Sequence, residues 1–564
     1  MRAQWAVAQS VILGMACFTM LLSWLLPSHF RPWATAYQEL LSAIALVLFF
    51  SVALLCRGMR VPISVVMLSS LAFVPFGQLQ AGILSYAGDA WVSASYIMIL
   101  AISVFVGYNL NLNSQKRGEF IFSERIAWVL LLAGTASSVL AVIQWLGFSN
   151  FSWVSPIKNT TRPFANLAQP NNLATLLGMG LMSLLYLFEK RKLFRLSAVL
   201  LALLLLFALT LAQSRAQWVS AVFIFGFWFW QRGNVVLRLT NQQMLLWMLI
   251  YIAMIVSVPL LAEYLEISRV SLLDRLQKTA RLDLYQQFVT AVLYGPWYGY
   301  GWNQVLVAQA AISSQYAYPL PTLYTHNILL DLLIWNGPVL GGGIILLVAI
   351  WLWKLLKGAR SLTATYAWVA LSCFIFHSML EYPHAYLFLL IPAGLLLGVL
   401  QSEVSGYECS FYLSPVINRF SFFASAMLIM VMWRDYCLIE QDYHKAVVES
   451  NDEFVPEVSQ GVYDVYLLNH MRAYIYFVRA PLRADYSESA LSDALTVAHR
   501  FPYFYCLLKG AYIAAMNNRV DDGYDLLLLI EGLYGSPKLD QSLAYFVEKS
   551  ESFPELLNLV RMFD

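Results

Sequence analysis

Long apolar segments recur along the whole chain, and each is long enough to cross a lipid bilayer as a helix. A bilayer core needs about 20 apolar residues per helix. Thirteen segments of the 564-residue sequence approach this length, near residues 5–27, 36–56, 62–80, 91–109, 126–148, 170–188, 196–212, 215–231, 243–262, 326–353, 363–380, 384–401 and 416–433. Only 12% of the residues are charged, against about 25% in soluble domains. We therefore predict an all-α polytopic membrane protein with about 12–13 transmembrane helices.

The distribution of lysine and arginine predicts the orientation of these helices, because cytoplasmic loops retain basic residues. One alternate set of short loops and helix ends, with the N-terminus, holds sixteen of them. The other set holds four, namely Arg31, Lys158, Arg162 and Arg215. The N-terminus is therefore expected in the cytoplasm. A long loop at 263–325 and a charged tail are expected on the outer side.

The same features divide the chain into four parts. Residues 1–150 are predicted to form N-terminal transmembrane helices, and residues 151–402 a core that includes the long loop. Residues 403–433 provide the last transmembrane helix and its connection. Residues 434–564 carry apolar side chains at helical spacing, which predicts a C-terminal helical domain.

The composition excludes two other classes. A net charge of +2 gives no reason to expect a nucleic-acid partner. The six cysteines form no CxxC pair, so we expect neither a disulfide framework nor a zinc site.

Unusual polar residues cluster at helix ends on the predicted outer side. They are Arg162, Gln169, Asn171 and Asn172 around the start of the sixth span, Arg215 between the seventh and eighth, Arg269, Arg275, Lys278 and Arg281 in the long loop, His326 and Asn327 at the start of the tenth, and His377, Glu381, Tyr382 and His384 between the eleventh and twelfth. Polar residues at one membrane face indicate a functional site there.

Two of the outer arginines have side chains that suit an anionic ligand. A guanidinium offers a fixed fork of donors that matches phosphate oxygens. Arg162 and Arg215 could therefore bind phosphate. A structural salt bridge or a contact to a lipid headgroup is the alternative for each.

His326 is predicted to lie in the first turn of the tenth span. Imidazole titrates near neutral pH, so it could accept a proton from a hydroxyl. The free backbone N–H groups of a helix start would also favour an anion there. A capping or interfacial histidine is the alternative. Asp331 could orient His326, although five residues is a poor helical spacing for direct contact.

His377, Glu381 and His384 have a spacing that could bind a metal ion on one helix face. Pro383 is expected to break that helix before His384. We therefore expect no metal site.

Four motifs follow one another between about residues 150 and 400, and a characteristic turn follows them. They read R-P-F-A-N-L-A-Q-P-N-N-L-A-T at 162–175, Q-S-R-A at 213–216, G-P-W-Y-G-Y-G-W at 295–302 and T-H-N-I-L-L-D, with a later G-P, at 325–338. Together they resemble the bacterial protein O-oligosaccharyltransferases of the pilin-glycosylating type, which are related to O-antigen ligases and polymerases. The turn at 377–386, with Glu381-Tyr382-Pro383, resembles the protein-glycosylating branch in particular.

The resemblance implies a GT-C-like multi-span glycosyltransferase in the bacterial inner membrane. Such an enzyme transfers a glycan from undecaprenyl pyrophosphate to an acceptor hydroxyl in the periplasm, with no cofactor. By motif match, His326 would be the general base and Arg215 would hold the donor pyrophosphate. The further candidates for substrate binding are Arg162, Gln169, Asn171, Arg275, Arg281 and Tyr382. One departure concerns Tyr285, where relatives often carry tryptophan.

The acceptor remains open on the sequence alone. The turn at 377–386 and the helical tail favour a serine or threonine of an exported protein such as a pilin. An O-antigen ligase acting on the lipid A core, or a polymerase, would share the donor. A transporter or flippase is the alternative of another class, but no half-to-half repeat is evident, and Asp331 and Glu39 are the only acids placed within spans. The expected partners are thus the lipid-linked glycan, an acceptor and membrane lipids.

Overall fold

The computed structural model describes residues 2–56, 58–117, 122–148, 152–156, 162–265, 280–405, 410–451 and 462–563. Within these ranges the chain is helical apart from turns, loops and one small sheet. In that sheet β1 (Arg60–Pro62) pairs antiparallel with β2 (Ser410–Tyr412), and Val61 lies opposite Phe411. The predicted all-α membrane fold is confirmed.

Twenty-two α-helices are described. In chain order they are α1 (Arg2–Leu25), α2 (Ala36–Leu54), α3 (Ile63–Leu71), α4 (Val74–Gln80), α5 (Ala87–Arg117), α6 (Phe122–Trp145), α7 (Pro170–Glu189), α8 (Arg195–Ala212), α9 (Arg215–Gln231), α10 (Asn241–Tyr264), α11 (Ala280–Tyr294), α12 (Val305–Ala311), α13 (Ile328–Gly358), α14 (Leu362–Ser378), α15 (Leu387–Ser405), α16 (Pro415–Asn451), α17 (Asn469–Arg479), α18 (Glu488–Arg500), α19 (Phe504–Met516), α20 (Val520–Tyr534), α21 (Ser536–Lys549) and α22 (Leu556–Val560).

All thirteen apolar segments of the sequence coincide with helices. Eleven helical segments in the described ranges are long and apolar enough to cross a membrane, with α3 and α4 together counting as one. The other two, α9 and α14, have 17 residues each, at the lower end of the range of about 17–25 residues for a transmembrane helix. The last helix differs from the prediction. It continues past residue 433 to Asn451 because no glycine or internal proline interrupts it.

The chain divides into two compact units. The first contains Met1–Leu71, Tyr96–Lys278 and Val348–Met430. The second contains Ala72–Ser95, Thr279–Leu347 and Val431–Asp564.

In the first unit, α5 and α15 approach closely where glycine replaces a side chain. A Cβ atom on Gly398 would lie 2.2 Å from the carbonyl oxygen of Val104, and one on Gly107 would lie 2.3 Å from that of Leu395. Lipid tails are as apolar as the helices, so close van der Waals packing of small residues holds such crossings together. These positions accept no side chain.

In the second unit, the tail helices pack against part of the long loop. Leu526, Leu527 and Ile530 of α20 lie in a buried core that also contains Ala310 of α12. A Cβ atom on Gly532 would lie 2.5 Å from that of Ser313. The described part of the long loop in this unit and the tail helices therefore form one packed body.

A buried ion pair joins the tail to the start of α5 within the second unit. Arg500 Nε donates to Asp89 Oδ2 at 2.9 Å, and Nη2 donates to Oδ1 at 2.6 Å. The two side chains are 10% and 3% exposed. Next to them, the backbone N–H of Gly88 donates to Asn469 Oδ1 at 2.7 Å.

Replacing Arg500 with methionine is expected to destabilise the second unit by about 3–5 kcal/mol, because it leaves Asp89 buried without its counter-charge. Limited proteolysis of the protein in nanodiscs, with thermal unfolding, would measure the loss. The matched control is Arg519→Met, since Arg519 forms ion pairs with Glu488 and Asp522 at the surface, where the three side chains are 45%, 80% and 30% exposed. Water screens such pairs, so their loss should cost less than about 1 kcal/mol. Equal sensitivity of the two variants would contradict this assignment.

Candidate functional site

Buried amides, rather than regular secondary structure, fold the part of the first motif that precedes α7. Gln144 Oε1 accepts the backbone N–H groups of Phe164 at 3.0 Å and Ala165 at 2.7 Å. Asn166 Nδ2 donates to the carbonyl oxygen of Leu25 at 2.7 Å. Ala165 and Ala168 have φ angles of +51° and +62°, which are uncommon for residues other than glycine. Such strain persists only where surrounding contacts impose it, and it clusters at functional sites.

The first motif meets the turn at 377–386 at the start of α7. Gln169 precedes the helix, and its Nε2 donates to the hydroxyl of Tyr382 at 2.7 Å. Asn171 Nδ2 donates to Glu381 Oε1 at 3.0 Å, and Glu381 is buried. Three predicted site residues, Gln169, Asn171 and Tyr382, thus lie together in the first unit.

A second layer of buried polar side chains lies beneath this contact. Gln217 Nε2 donates to Thr175 Oγ1 at 3.0 Å and to the carbonyl oxygen of Cys373 at 3.1 Å. Thr175 Oγ1 lies 2.8 Å from His377 Nδ1. Because Gln217 already donates to the Thr175 oxygen, the threonine hydroxyl can donate to an unprotonated Nδ1. Gln217 follows Arg215 by two residues, so this network fixes the first turn of α9 against α7 and α14.

Sequence reasoning missed Gln217 and Thr175 as members of this network. A signal was present, since Asn171 and Thr175 are separated by four residues and share a helix face. Gln217 is likewise a polar residue within an apolar span.

Arg162 and Arg215 are linked through the turn between α8 and α9. Arg162 Nη1 donates to the carbonyl oxygens of Ala212 at 3.0 Å and Gln213 at 3.4 Å. Gln213 ends α8 in the left-handed region with φ +46°. A cation at these last carbonyls interacts favourably with the helix end. This contact fixes the turn that precedes Arg215, and it is neither the salt bridge nor the headgroup contact considered as the alternative for Arg162.

The turn between α14 and α15 breaks the helix, as the proline predicted. Helix α14 ends at Ser378, and residues Pro383–Ala385 form a single 3₁₀ turn. Within the described ranges, no group of three or more histidine, cysteine, aspartate or glutamate side chains is arranged to hold a metal ion.

In the second unit, His326 lies just before α13 rather than in its first turn. Helix α13 begins at Ile328, and Asn327 Oδ1 accepts the backbone N–H groups of Leu329 at 2.9 Å and Leu330 at 3.4 Å. The expectation that these groups would be free for an anion is therefore wrong, because Asn327 caps the helix. His326 itself is half-buried and has φ +59°. This left-handed conformation is uncommon, although histidine adopts it more often than most residues.

Two neighbours hold the backbone around His326. Asp331 Oδ1 accepts the backbone N–H of Thr325 at 2.8 Å. The hydroxyl of Tyr285 donates to the carbonyl oxygen of His326 at 3.2 Å. Asp331 thus contacts the residue before His326 despite its unfavourable helical spacing. The motif departure at Tyr285 places a hydroxyl against the backbone of the candidate base.

Two further candidate arginines of the long loop, Arg281 and Arg275, have no described side chain. Arg281 lies in the first turn of α11, four residues before Tyr285, and its side chain falls outside the described set. Arg275 lies outside the described residues altogether.

The third and fourth motifs form a single structural element in the second unit. Pro338 lacks an N–H group, so the carbonyl of Ile334 loses its helical donor. The backbone N–H of Tyr300 donates to Ile334 at 2.8 Å, and that of Gly301 donates to Trp335 at 3.1 Å. A Cβ atom on Gly337, which has φ +73°, would lie 1.9 Å from the carbonyl oxygen of Trp297. The glycines of both motifs are needed for this contact.

Replacing Tyr382 with phenylalanine is expected to lower activity about five- to tenfold without loss of folding. The change removes the acceptor of the Gln169 amide, and such a bond contributes about 1 kcal/mol. Initial rates in membranes, normalised to protein abundance, would measure the effect. Tyr412→Phe is a matched control, because it removes a 2.7 Å hydrogen bond from Arg60 in the same unit but away from the motifs. A loss in the control as large as that in Tyr382→Phe would contradict a specific role.

Comparison with known proteins agrees with this arrangement of motifs. The General O-oligosaccharyltransferase of Acinetobacter baylyi is 29% identical over 560 residues, which cover 97% of each chain. The ComP-specific O-oligosaccharyltransferase of the same organism is 30% identical over 389 residues, covering 68% of this chain and 69% of that relative.

Three family models match consecutive parts of the chain. They are a protein glycosylation ligase model at 163–188, an O-antigen ligase model at 200–344 and the C-terminal model of a virulence factor membrane-bound polymerase at 365–544. Together with the two relatives, these matches confirm the family suggested by the motifs. The chain therefore belongs to the bacterial protein O-oligosaccharyltransferases of the O-antigen ligase superfamily, and it is an oligosaccharyltransferase.

Proposed function

We propose that the enzyme transfers an oligosaccharide from undecaprenyl pyrophosphate to a serine or threonine hydroxyl of an exported protein such as a pilin. The reaction takes place on the periplasmic side of the inner membrane. The observation that carries the proposal is the contact of Gln169 with Tyr382 and of Asn171 with Glu381. It joins the first motif to the turn that resembles the protein-glycosylating branch. Both relatives are O-oligosaccharyltransferases by name, which supports transfer of an oligosaccharide to an oxygen atom, and the match to the protein glycosylation ligase model supports a protein acceptor.

The donor's leaving group explains the need for cations. Departure of a lipid pyrophosphate develops negative charge on phosphate oxygens, and preplaced cations lower that barrier. We assign this role to Arg215, assisted by Arg275 and Arg281. The fork of a guanidinium binds two phosphate oxygens at once. Arg162 supports this role by holding the carbonyls of the turn before Arg215.

The acceptor's hydroxyl explains the need for a base. His326 takes its proton while the hydroxyl oxygen attacks the anomeric carbon. The new glycosidic bond forms as the bond from that carbon to the phosphate oxygen breaks, so the configuration inverts. Polyprenyl pyrophosphate leaves with the bonding electrons. No ATP is consumed, because the phosphate linkage of the donor supplies the driving force.

Polar side chains of the first unit are further candidates for substrate binding. Gln169, Asn171 and Tyr382 offer amide and hydroxyl groups that can bind sugar hydroxyls or the acceptor. The hydrogen bonds from Gln169 to Tyr382 and from Asn171 to Glu381 hold these groups in place before the substrate arrives.

A second candidate function shares the donor and changes the acceptor. An O-antigen ligase would act on the lipid A core, and a polymerase on another lipid-linked glycan. The O-antigen ligase model favours this candidate, since its matched residues 200–344 include both Arg215 and His326.

Intact-mass analysis of a pilin expressed with this enzyme and a glycan-donor pathway tests the proposal. The pilin is expected to gain the mass of the glycan, and the gain should vanish when its acceptor serine or threonine is replaced. An unmodified pilin beside an extended lipopolysaccharide would reject the protein acceptor and favour a ligase.

A further inference from the structure

Helices α7, α8, α9 and α10 of the first unit line a cavity of about 690 Å³ that is partly open at the helix surface. Its walls are mainly apolar and include Ala202, Leu206, Ala221, Ile224, Trp247 and Tyr251. Well-packed protein interiors contain few voids larger than a water molecule, and cavities with apolar walls exclude water. A hydrocarbon chain is therefore the group expected to fill a space of this size between membrane helices.

The cavity is long and follows the helix axes. Its lining residues on α8 run from Arg195 to Leu209, which corresponds to about 21 Å at 1.5 Å per residue. The hydrocarbon core of a bilayer is about 30 Å thick. The cavity can therefore hold an extended lipid chain rather than a compact molecule.

One end of the cavity is positively charged. Arg195 and Arg238 both line it there. Arg195 is exposed, and Arg238 is half-buried with its guanidinium carbon 4.3 Å from the centre of the Phe188 ring. Glu189 is the nearby acid, but its carboxylate already accepts the backbone N–H groups of Arg238 and Leu239. Lys192 at the same end pairs with Glu124 at 3.0 Å.

At the opposite end, none of the described lining residues is charged. Gln217 lines the cavity there, but its amide nitrogen donates to Thr175 and to the carbonyl of Cys373. A lipid in this cavity must therefore place its charged group at the arginine end and its chain towards Gln217.

We infer that the cavity binds one anionic phospholipid from the leaflet on the Arg195 side, with an acyl chain between the four helices and the phosphate at Arg195 and Arg238. Basic pockets between membrane helices suit anionic headgroups. The chain supplies van der Waals contacts that the protein lacks there, including contacts to Gln217, two residues beyond Arg215. This lipid is a bound component of the protein and is independent of the glycan donor and acceptor.

Native mass spectrometry and lipid extraction of the enzyme purified in mild detergent test the inference. About one phosphatidylglycerol or cardiolipin per protein is expected to remain bound. Ala221→Phe fills the cavity and should lower retention several-fold. Arg195→Gln with Arg238→Gln leaves the cavity open, and should replace the anionic lipid by phosphatidylethanolamine. Arg360→Gln is the matched control, since Arg360 does not line the cavity, and it should retain the anionic lipid.

Three results would overturn the inference. The first is retention of a polyprenyl lipid in place of the phospholipid. The second is unchanged anionic-lipid retention in the double arginine variant, which remains informative even if Ala221→Phe fails to fold. The third comes from Tyr251, whose buried hydroxyl has no hydrogen-bond partner in the described part of the chain. An acyl chain cannot accept that bond, so Tyr251→Phe should leave retention unchanged, and loss of the lipid would indicate a polar occupant at this depth.

Discussion

His326→Ala is expected to reduce glycan transfer by at least about 100-fold while insertion into the membrane and abundance stay at the wild-type level. General-base catalysis contributes about 10²- to 10⁴-fold, and the acceptor hydroxyl is a poor nucleophile while it keeps its proton. The loss should fall mainly on kcat, because His326 is assigned to the chemical step. Single-turnover rates with a lipid-linked glycan and a purified acceptor would measure it.

The histidine experiment needs two controls. His444→Ala replaces an exposed histidine of α16 and is expected to keep wild-type activity. Because His326 has φ +59°, alanine also adds backbone strain there. His326→Asn tolerates this conformation but supplies no base, so it should be as inactive as the alanine variant. Activity in the asparagine variant close to wild type would remove His326 from the catalytic role.

Arg215→Lys is expected to lower kcat/KM about 10- to 100-fold although the charge is retained. Lysine offers a compact point charge, whereas arginine binds two phosphate oxygens through a planar fork. If the fork stabilises the departing pyrophosphate, kcat should fall more than the affinity for the donor. Steady-state kinetics over a range of donor concentrations would separate the two effects.

The matched substitution for Arg215→Lys is Arg419→Lys, at an exposed position near the start of α16. It should leave both constants unchanged. A higher KM with unchanged kcat in Arg215→Lys would limit Arg215 to donor binding. Full activity in both Arg215→Lys and His326→Ala would eliminate the proposed site.

Hydropathy was sufficient for most of the fold. Each of the thirteen apolar segments is helical because a chain in lipid must satisfy its backbone hydrogen bonds internally. Helix ends were harder to place. Helix α16 runs on to Asn451 because the change to a charged composition does not itself stop a helix. His326 was assigned to the first turn of α13, but the side chain of the following asparagine caps that helix instead.

Only the residues of the candidate site that lie in the recognised motifs could be predicted from the sequence. The resemblance singled out Gln169 and Tyr382, which lie 213 residues apart in the chain and hydrogen-bond to each other. Gln144 and Gln217 lie outside the motifs, and Thr175 ends the first motif without an assigned role. A polar residue within an apolar span looks the same in the sequence whether its hydrogen-bond partner is near or absent. Their roles depend on helix packing, which one sequence does not display.

The short helical stretch from His326 to Gly337 has consequences for how the chain can vary in length. Left-handed residues bound it, with φ +59° at His326 and +73° at Gly337. At its beginning, the carboxylate of Asp331 accepts the backbone N–H of Thr325. At its end, the backbone N–H groups of Tyr300 and Gly301 donate to the carbonyl oxygens of Ile334 and Trp335. One inserted residue would rotate one end relative to the other by about 100° and shift it by about 1.5 Å, so neither attachment could be kept. Homologous enzymes should therefore tolerate substitutions inside this stretch far better than insertions or deletions. The spacing of eleven residues from the histidine to the glycine should be the same in all of them.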